Sequence, residues 1–141
     1  MRKTISILQM AGGMFGIIYM LLLNREILVN IGFLLALFIF SFSTICGYLL
    51  LKRNQFAADL SILNQFLQTI NFSVAGVTYI YYCPITIELC VQEYQDFFFD
   101  FRLSARFAFS LLDTEFDKIC FNLVPISFLI YLIKNRSTIE N

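Results

Sequence analysis

Four stretches of this sequence contain no Asp, Glu, Lys or Arg: residues 4–24, 27–51, 60–87 and 119–133. Nothing else constrains the fold as strongly. A helix crossing the ~30 Å hydrocarbon layer of a bilayer needs about 20 apolar residues and carries few charges at its centre. The first three runs have 21, 25 and 28 residues and are long enough to cross. The fourth has 15 and becomes a full span by extending back to Phe116 or by crossing thinned membrane; Lys134 and Arg136 close it. The expected fold is a membrane α-helical protein, a single integral membrane domain over 1–141. Its four transmembrane helices are placed at 4–24, 27–51, 56–82 and 117–133, with a small outward β-hairpin or meander insert at 84–118 between the third and fourth.

Arg2 and Lys3 precede the first apolar run, as in a secretory signal, but no A-x-A-like cleavage site follows, and Gln9, Gly12 and Gly13 interrupt the run. The segment is therefore read as a retained span. Charged residues make up only 14% of the chain, against about 25% in soluble domains. Ten basic and ten acidic residues leave no net charge, so a nucleic-acid partner is not expected. No histidine is present, which removes the commonest general base and metal ligand.

The distribution of charge gives an orientation. With four spans, Arg2, Lys3, Lys52, Arg53, Lys134 and Arg136 fall on one side, close to helix ends, while most acidic residues fall on the other with Arg25, Arg102, Arg106 and Lys118. Basic residues mark the cytoplasmic side, so both termini are expected inside and the insert outside. The expected location is the inner membrane of a bacterial cell, as a multi-pass protein.

Counting 100° per residue through the third span places Ser61, Asn64, Gln65, Gln68 and Asn71 in one arc of roughly 120°, in line with Ala75 and Tyr79. Amides in hydrocarbon need hydrogen-bond partners, so the stripe is read first as glue between helices and second as the lining of a solute path. Asp59, off the stripe and near Lys52 and Arg53, is assigned to the interface. Gly12 and Gly16 in the first span, and Gly32, Ala36 and Gly47 in the second, are small residues that let helix backbones approach closely. Pro125 is expected to kink the fourth helix or mark its first turn, with Asn122 needing a partner amide.

In the insert the period changes from 3.6 to 2. Ile85, Ile87, Leu89 and Val91 alternate with Thr86, Glu88, Cys90 and Gln92, and the alternation resumes through Phe99, Phe101, Leu103, Phe107 and Phe109. This is a strand pattern with one buried face. The stretch 98–112 is long for one strand, and a break near Ser104 would divide it. So few residues cannot bury the Phe-rich face on themselves, which makes Phe99, Phe101, Leu103, Phe107 and Phe109 a candidate interaction face.

Cys83, Cys90 and Cys120 lie outward and Cys46 within the second span, without a C-x-x-C pair; a Cys83–Cys120 bridge is compatible with similar depth, and free thiols are the simpler reading. Asp113, Glu115 and Asp117 are read as a solvated turn. No catalytic, cofactor-binding or metal-binding residue is assigned. The expected function is that of a non-enzymatic small polytopic membrane protein whose β insert mediates self-association or contact with a membrane-protein partner, the bilayer being its other partner. The alternative is a small oligomeric channel or transporter lined by the amide face of the third span.

Overall fold

The computed structural model describes residues 1–23, 31–92, 96–111 and 117–140. Two of the charge-free runs form long helices, α1 (Arg2–Leu23) and α2 (Ile31–Lys52), each 22 residues and about 33 Å long. They pack antiparallel, and glycine sets their separation. A Cβ on Gly47 would stand 2.6 Å from the Ser6 carbonyl oxygen, one on Gly13 2.6 Å from that of Phe40, and one on Gly16 2.4 Å from the Phe40 ring. Gly12 faces Cys83 and Pro84 instead, Ala36 is buried, and Gly32 stands in the first turn of α2.

Beyond α2 the structure departs from four helices. Helix α3 (Ala57–Leu67) has 11 residues and ends in strand β1 (Ile70–Val74), which a two-residue turn joins to β2 (Val77–Tyr82). Ala75 and Gly76 both have positive φ (51° and 83°), the backbone that suits a tight turn between twisted strands. The span expected at 56–82 is thus overturned. Its second half carries Ile70, Phe72, Val74, Val77, Tyr79 and Tyr81 at period 2, and aromatic and β-branched side chains suit a pleated surface better than a helix. The span expected at 117–133 is overturned in the same way: it is strand β6 (Lys118–Asn122) followed by α4 (Leu123–Lys134) and the short α5 (Arg136–Glu140). Asn122 caps α4, its side chain accepting from the Val124 N–H at 3.3 Å, so Pro125 occupies the first turn, where its missing N–H costs nothing.

The small insert is also corrected. With β3 (Ile85–Gln92), β4 (Asp96–Leu103) and β5 (Arg106–Leu111), β1, β2 and β6 form one six-stranded antiparallel sheet in the order β4-β3-β6-β1-β2-β5. The break in 98–112 falls at Ser104–Ala105.

This order forces the sheet to curl. β4 and β5 are its two edges, which in a flat sheet at ~4.8 Å per strand would lie about 24 Å apart. Ser104–Ala105 is the whole connection between them and reaches at most about 11 Å. Cys83–Pro84, joined by a cis peptide bond, likewise links β2 to β3 across two intervening strands. Contact across the curl follows: Arg102 Nη1 on β4 donates to the Tyr82 hydroxyl on β2 at 3.3 Å.

Two apolar clusters fix the sheet and helices together. Ile5, Leu50, Ala57, Ala58, Leu132 and Ile139 join the start of α1 and the end of α2 to α3, α4 and α5. Toward the opposite end of the hairpin, Ala36 and Phe40 pack on Tyr81, Cys83 and Ala105, the Phe40 and Tyr81 rings meeting edge-on at 6.1 Å. Asp59 pairs with Arg136 at 2.7 Å.

Candidate functional site: a polar cavity inside an apolar sheet

The strand alternation places the apolar face outside and the polar face inside. Register settles the inner set: Glu88 opposes Asp100 and Asn122, Cys90 opposes Cys120, Thr86 opposes Arg102, Ser73 opposes Lys118, and Tyr82 opposes Arg106. Within the curl lies a cavity of about 500 Å³ lined by Asn71, Ser73, Tyr82, Glu88, Gln92, Arg102, Arg106 and Lys118, among others. That volume is in the range of small-molecule sites. On the outside, Phe97, Phe99, Phe101 and Leu103 of β4, and Phe109 and Leu111 of β5, are half or more exposed.

The charges in this cavity are graded by their partners. Glu88 is 2% exposed and accepts a hydrogen bond from the Asn71 amide, whose own oxygen accepts from the Tyr81 backbone N–H at 2.7 Å. Arg102 is ion-paired with Asp100, and its guanidinium also lies 5.9 Å from the centre of the Tyr82 ring. Lys118 Nζ stands 4.8 Å from the centre of the Phe98 ring. Arg106 is exposed and makes no ion pair among the described residues. Among the described residues Asp100 therefore neutralises one of three cations, and Arg106 and Lys118 remain against the carboxylate of Glu88. The described charges around the cavity thus leave an excess of one cation.

Glu88, Cys90 and Cys120 bring three donor atoms within 4.8 Å of one another. The two sulfurs are joined as a Cys90–Cys120 disulfide, so they offer no thiolate to a metal in this state. The bridge pins β3 to β6 directly across the ladder. A Cys83–Cys120 bridge is therefore replaced by this one, and Cys46 and Cys83 are free and buried.

The amide stripe sits elsewhere, between the helices and the back of the sheet. Ser61 Oγ donates to Gln9 Oε1 at 3.2 Å, Asn64 Nδ2 to Ser43 Oγ at 3.2 Å, and Ser43 Oγ to the Gln9 carbonyl at 3.2 Å. The Tyr81 hydroxyl donates to Asn64 Oδ1 at 2.9 Å and accepts from Gln68 Nε2 at 3.3 Å. Gln65 is buried beside a void of about 10 Å³ shared with Gln9 and Gln68. Ser61, Asn64 and Gln68 thus bond across elements. Asn71 alone of the stripe faces the cavity, and it does so from a strand.

Of the candidate interaction face, Phe99, Phe101, Leu103 and Phe109 are exposed, at 50–73%, while Phe107 is partly covered by Tyr79 and Tyr81. Tyr82, Glu88, Arg102, Arg106 and Lys118 were not singled out from sequence as site residues. Their signal was the alternation itself, which gives the polar partners of the Phe residues a common face. Of the acidic trio at 113–117, Asp117 accepts from the Ala75 N–H at 3.0 Å, and the other two lie outside the described residues. No protein-family model, curated protein or solved structure matches this chain.

Proposed function

We propose that this chain is a non-enzymatic, membrane-embedded binding protein that holds a small anion in the cavity of its sheet. The carrying observation is the inverted sheet: six strands turn aromatic and aliphatic side chains outward, and gather Glu88, Arg102, Arg106 and Lys118 around one cavity. Water would select the opposite arrangement, since exposing so many Phe and Leu side chains forfeits about 25 cal/mol for each Å² left unburied. Lipid reverses that preference.

Dimensions agree with this reading. The lengths of α3 and β1, consecutive in the chain, add to about 33 Å and those of β6 and α4 to about 35 Å, comparable with the two helices of about 33 Å. The apolar cluster of Ile5, Leu50, Leu132 and Ile139 draws together the helix ends that bear Arg2, Lys3, Lys52, Arg53, Lys134 and Arg136, and basic residues gathered at one end support an orientation with that end toward the cytoplasm.

Spin labels in nanodiscs test the reading. Labels at Phe99 and Leu111 should be more accessible to oxygen than to a water-soluble nickel complex, and labels at Thr78 and Ser110 the reverse. Equal preference at all four sites would refute membrane embedding of the sheet. Absence of any saturable anion binding to purified protein would refute the cavity's role.

A further inference from the structure

We infer that the anion bound in this cavity is the headgroup of a membrane amphiphile, held inside the sheet while its acyl chains pass between edge strands β4 and β5 and lie along the outer Phe residues. The inference rests on the anion-binding reading above and names the class of ligand. Three observations carry it. First, the curl brings two sheet edges together without pairing them. β4 and β5 are tied at Ser104–Ala105, yet among the described residues each pairs with only one strand, β4 with β3 and β5 with β2. In hydrocarbon an open edge leaves N–H and C=O groups without water, and every such group needs a partner. Headgroup phosphate and glycerol ester oxygens supply acceptors for the N–H groups there.

Second, each edge carries one arginine on the inner face near the tied end, Arg102 on β4 and Arg106 on β5. Arg102 is engaged by Asp100 and Tyr82, whereas Arg106 is left to a guest. Guanidinium and phosphate match in both geometry and charge.

Third, the lips of the opening are apolar on the lipid side. Phe97, Phe99 and Phe101 on one edge and Phe109 and Leu111 on the other are 50–73% exposed. A cavity of about 500 Å³ accommodates a headgroup but is far too small for a two-chain lipid, so the chains must remain outside. A free soluble anion would satisfy Arg106 and leave these lips unused. A second copy of the chain would satisfy one edge and bring another Arg106 to the same gap.

Native mass spectrometry of the full chain, delipidated in a neutral detergent, tests this. Titration with phosphatidylglycerol should give one lipid per chain, at least tenfold tighter than phosphatidylcholine, and Arg106→Gln should remove most of that preference while the disulfide and thermal unfolding stay unchanged. Stoichiometric phosphatidylglycerol carrying a photoreactive acyl chain should label β4 and β5 in preference to Ile119 and Phe121 on β6. Inorganic phosphate binding as tightly as the lipid would overturn the lipid inference and leave the anion cavity standing. Equal affinity for the two lipids, labelling spread evenly over the strands, or a dimer that binds no lipid would each overturn it as well. Failure of both lipid and phosphate to bind would overturn the cavity reading itself.

Discussion

Replacing Tyr81 with Phe deletes one oxygen atom at the junction of α2, α3 and the sheet. The ring is retained, and with it the edge-on contacts to Phe40 at 6.1 Å and Phe107 at 6.3 Å, so little packing is lost. What goes is the hydroxyl's bond to Asn64 Oδ1 at 2.9 Å and the longer one from Gln68 Nε2 at 3.3 Å. Both amides are 2% exposed or less, out of contact with bulk solvent. Orphaning a buried polar group costs about 1–3 kcal/mol, whereas side-chain bonds in a membrane protein average about 0.6 and reach about 1.7 kcal/mol. Two bonds, one of them long, give an expected loss of about 2–3 kcal/mol. Reversible unfolding in mixed micelles, followed by circular dichroism, measures it. A cycle with Asn64→Leu sharpens the test: that substitution should cost less in the Tyr81→Phe background than alone, because the partner it abandons is already gone. A Tyr81→Phe variant within about 0.5 kcal/mol of the native protein, or a strictly additive cycle, would refute the claim that these amides are fastened by Tyr81.

Four other outcomes are expected. Removing the Cys90–Cys120 bridge as the double alanine variant opens a loop with a sequence separation of 30 and should lower stability by about 3–4 kcal/mol, read as a shift in the same unfolding curve. Gly47→Ala, whose Cβ would stand 2.6 Å from the Ser6 carbonyl, should cost about 1–3 kcal/mol by forcing α1 from α2; an unchanged midpoint would contradict the close approach. Asp59→Asn should be nearly silent, under about 1 kcal/mol, because both partners of the Arg136 pair are about half exposed. Glu88→Gln keeps the side chain's size and removes a buried carboxylate from the cavity lining, so anion affinity measured by calorimetry should rise several-fold; a fall would mean that Glu88 itself holds the ligand.

The sequence was legible where one periodicity ruled a whole run. Ile85–Val91 and Phe99–Phe109 alternate strictly and are strands, and 4–24 and 27–51 cover most of α1 and α2. It misled where two periodicities share one run. Ser61, Asn64, Gln65 and Gln68 keep helical spacing, and extending the same 100° count to Asn71, Ala75 and Tyr79 concealed the change to period 2 at Ile70. Absence of charge cannot distinguish one long helix from a short helix continued by a strand, since both can carry an unbroken run of apolar side chains. The cavity was hidden for another reason. Which face of a strand is inside depends on how strands distant in sequence pair, and Cys90 with Cys120 or Tyr82 with Arg106 are neighbours only because the sheet curls. Nothing in the local sequence around Glu88 or Arg106 marks that enclosure.

The place of β6 in the sheet imposes an order on the protein's synthesis. It is the last strand to leave the ribosome, yet it lies near the middle, between β3 and β1. Until Lys118–Asn122 is available, the sheet exists as two separate pieces, β4 with β3 and β1 with β2 and β5, held only by their connections. Neither piece can enclose the polar face on its own, and both present unpaired edges while translation continues. The final strand acts as a keystone, and oxidation of Cys120 with Cys90 fastens it once it is seated.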